Sequence, residues 1–251
     1  MNQADFRATT PYATFGTAVI AAPEEARRTF IRKTYSHLAA AVYAFAALEW
    51  LFISLGWDEA MLGMLGQGRW TWLVVLGAFI GVSWIADSWA RSSTSIGMQY
   101  AGLFLYVLAE AVIFLPMLAI AKLMTVDVGG VGEMSVIAAA GITTLIMFGG
   151  LTAFAFMTRK DFSFLGGFLN IVAFGTFALI VVSILFGFSL GVWFSAAMII
   201  LACAYILYYT SNIMHEYRTD QYVAAALALF ASVALLFWYV LRILMAFSNR
   251  D

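Results

Sequence analysis

Long apolar runs separated by short polar joints organise the chain from Leu38 onward. Seven of them stand out: Leu38 to Leu55, Trp70 to Ala86, Gln99 to Ala121, Ser135 to Met157, Phe164 to Phe186, Leu190 to Ile213 and Tyr222 to Phe247. Each is close to the roughly 20 apolar residues that cross a hydrocarbon core of about 30 Å. None alternates strictly as a barrel strand must, and lipid offers no partner for a free backbone group, so the runs are expected to be helices. The pattern predicts an all-α membrane protein, a seven-transmembrane-helix bundle with short connections. Residues 1–37 read as a polar N-terminal arm, 38–247 as the seven-helix domain and 248–251 as a short C-terminal tail.

Composition agrees with this pattern. Of 251 residues, 64% are hydrophobic and 11% charged, well away from soluble domains, which are nearer half apolar and a quarter charged. Mean hydropathy is +0.93. The start of the chain lacks the basic region, short apolar core and small-residue site of a cleaved signal, so the first apolar run is expected to stay as a span. No basic tail or stripe points to nucleic acid. The single Cys203 allows no intrachain disulfide, and with only His37 and His215 beside it no structural zinc site or other cofactor is expected.

Charge sets an expected orientation. Arg7, Arg27, Arg28, Arg32, Lys33, Arg91, Arg159, Lys160 and Arg218 fall on one side, and Arg69, Lys122, Arg242 and Arg250 on the other, nine against four. Positively charged loops stay in the cytoplasm, which places the N-terminus inside.

Ionisable groups inside the spans each need a reason, because a charge at the centre of a helix costs about 2.5 to 3.5 kcal/mol on insertion scales. Glu110 lies near the middle of the third span, with Gly102 and Tyr106 on the same face at intervals of four. Two readings stay open for it: a neutral carboxyl hydrogen-bonded within the bundle, or a proton- or cation-sensing group lining a polar cavity. Glu49 is expected to face the interior, Asp87 to pair with Arg91 one turn on, and Arg242 to snorkel toward the headgroups. Gly77 and Gly81 have the small-residue spacing that permits close helix contact. Tyr205, Tyr208, Tyr209 and Asn212 share one face of the sixth span; Gln221, Ala225, Ala228, Ser232 and Tyr239 share one face of the seventh.

Enzyme signatures are weak. "GFSLG" (Gly187 to Gly191) fits the pattern of a hydrolase elbow, but it falls at a turn between spans and on the side away from both histidines. His215 and Glu216 resemble the start of a zinc helix, yet position 219 is Thr where the second His is required.

Several segments taken in order resemble the Bax inhibitor-1 family, in particular its bacterial YccA/YbhL-like branch. They are "FIRKTYSHLAAAV" (Phe30 to Val42), "LAEAVIFLPML" (Leu108 to Leu118), "RKDFSFLGGFL" (Arg159 to Leu169), "YILYYTSNI" (Tyr205 to Ile213) and "LLFWYVLRIL" (Leu235 to Leu244). Arg159, Lys160, Asp161, Phe162, Gly166 and Gly167 form the most specific piece. The resemblance implies seven helices with the last one central and a non-enzymatic protein of the bacterial inner membrane. Its members are described as pH-sensitive calcium leak channels, as suppressors of cell death or as regulators of a membrane protease. The partners it implies are therefore the lipid bilayer, calcium or another cation, and a membrane protease.

In channel-like members a pair of aspartates on the sixth and seventh helices shares protons and controls opening. Here the resemblance places Tyr209 and Ser232 at those two positions. Neither titrates near neutral pH, so that latch is expected to be missing. The candidate ion-path or proton-sensing residues are then Glu110, Glu49, Tyr209 and Ser232.

Overall fold

The computed structural model describes residues 16–66, 68–92, 95–127 and 132–248. Eight α-helices follow in order: α1 (Glu24–Ser54), α2 (Trp57–Leu65), α3 (Arg69–Ala90), α4 (Ile96–Ala121), α5 (Val136–Thr158), α6 (Leu165–Phe186), α7 (Gly191–His215) and α8 (Tyr222–Phe247). A two-stranded antiparallel hairpin, β1 (Thr125–Asp127) and β2 (Glu133–Ser135), joins α4 to α5. All the helices except α2 are long and apolar enough to cross a membrane, and the fold is the expected seven-helix bundle. We call the end at which α1 begins the near end and the opposite one the far end.

The last helix is central. α8 packs against α7, α1, α5, α4 and α3, and its buried side chains point all round the helix. A helix that is apolar on every side belongs inside a bundle. Its run of small residues, Ala224, Ala225, Ala226 and Ala228, lets neighbouring helices approach closely. α6 is its opposite: it packs mainly on α7 and α3 and buries only Gly166, Leu169 and Ser183.

The first helix begins well before Leu38. Glu24 and Glu25 occupy its first turn, where carboxylates complement the positive end of the helix dipole, and the helix continues unbroken from there into the membrane span. The segment before it is tied down as well. Val19 N donates to Tyr217 O at 2.8 Å, Thr219 N donates to Thr17 O at 3.0 Å, and Ala18 bridges to Arg218. Arg27 Nε donates back to the carbonyl of Val19 at 3.2 Å. Residues 1–15 of the expected arm, and Asn249, Arg250 and Asp251 of the expected tail, lie outside the described residues.

Two short elements at the far end did not stand out in the apolar pattern. α2 is one; its Asp58 is wholly buried and receives Lys122 Nζ at 2.7 Å, which fastens α2 to the end of α4. Glu59 accepts from the same ammonium at 3.0 Å. These two hydrogen bonds, Asp58 first, hold the Lys122 ammonium above the usual lysine value. The β-hairpin is the other.

Close helix contact falls at a different glycine from the pair that the spacing suggests. A Cβ at Gly77 or Gly81 would meet nothing within 4 Å, so both glycines sit in open positions on α3. At Gly102 on α4 a Cβ would stand 2.5 Å from Ala86 O and Ala90 N, so the α3 and α4 backbones touch there. Identical small residues differ in role because the neighbouring helix lies on one side only.

Candidate functional site

A large cavity, about 850 Å³, runs from the far end into the middle of the bundle. α4 contributes Tyr106 and Glu110, α7 contributes Tyr205 and Tyr209, and α8 contributes Ser232 and Arg242. Each helix places its residues by simple periodicity: Tyr106 and Glu110, like Tyr205 and Tyr209, are one turn apart and share a face. Glu110 is 7% exposed, and the Tyr106 hydroxyl lies within reach of its carboxyl. Ser232 Oγ donates to Ala228 O at 2.9 Å, which satisfies its proton within α8 and leaves its lone pairs toward the cavity. Three of the four candidate residues, Glu110, Tyr209 and Ser232, therefore line one space.

The fourth does not. Glu49 is 5% exposed and lies outside that lining, on a part of α1 whose neighbours Leu48, Phe52 and Ile53 pack with Ala111 and Leu115 of α4. The interior position expected for Glu49 is found. Neither of its carboxyl oxygens has a hydrogen-bond partner among the described residues.

A second, smaller pocket of about 270 Å³ opens at the near end. Arg91, Asn170, Tyr208, Asn212 and Glu216 line it, and so do Tyr205 and Tyr209. The two spaces thus meet at the same tyrosine pair. The Tyr205 and Tyr209 rings lie 5.9 Å apart and 15° from parallel, and Tyr208 crosses Tyr209 edge-on at 5.0 Å. Tyr205 is anchored by its hydroxyl, which donates to Leu169 O at 3.1 Å. Below them, burial pushes the phenol of Tyr217, in the loop between α7 and α8, up to about 12. Arg91 pairs with Asp87 at 2.8 Å, as the spacing predicts, while lining this pocket. Spacing alone indicated only the Asp87 pair; the way to its second role is that Arg91 ends α3 at the level where α7 ends.

The segment Arg159 to Gly167 builds the near-end wall. Arg159 takes a left-handed conformation, φ 51°, that ends α5 and turns the chain. Asp161 Oδ1 accepts from Ser163 N at 2.8 Å, and that bond holds the Asp161 carboxyl below the usual aspartate value. Phe162 N donates to Ser211 Oγ at 2.8 Å, and Ser211 Oγ in turn reaches the Lys160 carbonyl at 3.5 Å, which docks the loop on α7. Of the glycine pair, Gly166 is under steric pressure: a Cβ there would stand 2.8 Å from the Tyr208 hydroxyl, while at Gly167 it would meet nothing within 4 Å.

Ser189 and His215 lie near the two ends of α7, about 36 Å apart by helix length, so the "GFSLG" turn has no histidine from that helix beside it. Among the described residues no group of three or more His, Cys, Asp or Glu is gathered where it could hold a metal ion. Among the described residues that line the large cavity, Glu110 is the single carboxyl.

A family model described as "Inhibitor of apoptosis-promoting Bax1" matches residues 27–249. Bax inhibitor 1 of Schizosaccharomyces pombe is 27% identical over 98% of this chain and 84% of its own length. Protein lifeguard 4 of Mus musculus is 26% identical over 94% of this chain and 92% of its own. The Escherichia coli protein named modulator of FtsH protease YccA is 35% identical over 49% of this chain and 54% of its own. With a family match that spans all seven membrane helices, the chain belongs to the Bax inhibitor-1 family.

Proposed function

We propose that the protein is a multi-pass inner-membrane protein, N-terminus in the cytoplasm, that leaks cations such as calcium along a path held closed by tyrosines rather than by an acid latch. One observation carries this reading: the far-end cavity with Glu110 and the near-end pocket with Arg91 share Tyr205 and Tyr209. Tyr209 and Ser232 stand where the family resemblance places its acidic pair, and neither supplies an anion there. Glu110 is the intramembrane acid that a cation would meet. The reading is non-enzymatic, and the cation is a transient passenger with no resident site.

The test is flux into liposomes containing the purified protein and a calcium-sensitive dye. Calcium entry that falls in Glu110→Gln supports the reading. Flux that Glu110→Gln leaves unchanged removes Glu110 from the path, and no flux at any pH overturns conduction altogether.

A second reading is favoured by the likeness to the E. coli modulator of FtsH protease over about half of each chain. In it the protein conducts nothing and binds a membrane protease. Co-purification of the protease from native membranes, lost when residues 1–15 are removed, would support that reading and assign the contact to the arm.

A further inference from the structure

The upper part of the large cavity is built for something other than an ion. Arg242 lies on its rim, close to the far end of α8, with its guanidinium 6.0 Å from the Tyr239 ring centre. It is the one basic side chain among the described residues of this lining, and it makes no ion pair with any described residue. Ser232 lies about 15 Å deeper along the same helix. Between those levels the walls are mostly apolar, with Ile113 and Met117 from α4, Ile180 and Ile184 from α6, and Leu235 and Trp238 from α8, interrupted by Ser183 and Tyr239. A mostly apolar space of this size with a few polar groups, set between helices, has the character of a small-molecule site. A cation above an apolar shaft about 15 Å deep complements an anionic head with a hydrocarbon tail.

The side wall gives such a molecule its route. α6 is loosely held, packs mainly on α7 and α3, and turns large side chains such as Ile171 and Phe174 outward. α3 and α6 also pack lightly on each other, so the cavity is weakly closed on the side between them.

We propose that this cavity is a binding site for an anionic membrane phospholipid, with one acyl chain inserted between α3, α4, α6 and α8 and its phosphate paired with Arg242. An arginine guanidinium pairs with phosphate oxygens through charge-assisted, often bidentate, hydrogen bonds. The site is independent of whether ions cross the protein, and an occupant would exclude water from the space above Glu110.

The test is native mass spectrometry of the full-length protein in detergent, supplied with phosphatidylglycerol or with phosphatidylcholine of the same acyl chains. Phosphatidylglycerol should be retained about fivefold better, the order of preference that one exposed ion pair supplies, because the choline ammonium of phosphatidylcholine competes with Arg242 for the phosphate. Arg242→Gln should abolish the difference. Ile184→Trp, which fills the shaft from α6 and leaves Arg242 in place, should reduce retention of both lipids while circular dichroism shows the helices intact. A phosphatidylglycerol with a photoreactive acyl chain should label Ile113, Met117 or Leu235. Equal retention of the two lipids, a preference that survives Arg242→Gln, or labelling confined to the outer faces would each overturn the site. Retention of oleate without retention of phosphatidylglycerol would overturn the assignment to a phospholipid.

Discussion

Tyr209 stacks on Tyr205 at 5.9 Å, and the pair lines both the far-end cavity and the near-end pocket. Removing one ring should join them. Tyr209→Ala is expected to raise calcium flux into liposomes about tenfold, which corresponds to a barrier lowered by about 1.4 kcal/mol. If the flux of the variant equals that of the unaltered protein, the tyrosines are not the barrier.

Restoring acids where the family resemblance places them is expected to change how flux depends on pH. Two close carboxyls share protons as a pair, so Tyr209→Asp combined with Ser232→Asp should give a pH profile different from that of the unaltered protein, whose one candidate acid on the path is Glu110. Glu110→Gln added to that double variant separates the two sites: a profile that persists belongs to the introduced pair.

Gly102 and Gly81 should answer differently to the same substitution. Gly102→Ala places a methyl against the backbone of α3 and is expected to destabilise by about 1–3 kcal/mol, while Gly81→Ala meets open space and should leave the melting temperature in detergent unchanged. Equal effects at the two positions would show that α3 and α4 do not touch at Gly102.

Lys122 should support the far end in a pH-dependent way. Its folded pKa is raised by Asp58 and then Glu59, so the stabilisation is complete below the ordinary lysine value of 10.5 and is lost as pH rises through the higher folded value. The melting temperature should therefore fall at strongly alkaline pH in the unaltered protein, and Lys122→Met should start lower and lack that component. A parallel decline in both proteins would remove the pair from the account.

Glu49 should behave unlike Glu110. Its carboxyl oxygens are buried without partners, and an orphaned polar group costs about 1–3 kcal/mol, so Glu49→Met is expected to raise the melting temperature. Flux should be unaffected, since Glu49 lies outside the lining of the large cavity. A loss of stability in Glu49→Met would mean that the carboxyl has a partner.

The seven spans were legible because the bilayer sets one length for all of them, whereas the central place of α8 came from the family resemblance and is met by its burial on every side. The helical start of α1 was hidden by its own charges: Glu24, Arg27, Arg28, Arg32 and Lys33 look like a solvated arm, yet they lie on a helix that emerges beyond the membrane region. α2 went unseen because nine residues are too few to show a span, and its anchor Asp58 depends on Lys122, 64 positions away. Glu110 could be identified from its depth in α4 alone. That it shares a cavity with Tyr209 and Ser232, while Glu49 does not, depends on how α1, α4, α7 and α8 are rotated against one another, and periodicity within one helix carries no such information. The same limit separates Gly102 from Gly81 and Gly166 from Gly167.

The backbone bridge between Ala18 and Arg218 has a mechanical meaning. The turn it grips leads directly into Tyr222, the first residue of α8, so the segment beginning at Gly16 and the foot of the central helix are in series. A pull applied upstream of Gly16 would be carried through two backbone hydrogen bonds to the base of the helix on which α1, α3, α4, α5 and α7 pack, so the near end is coupled by backbone to the core.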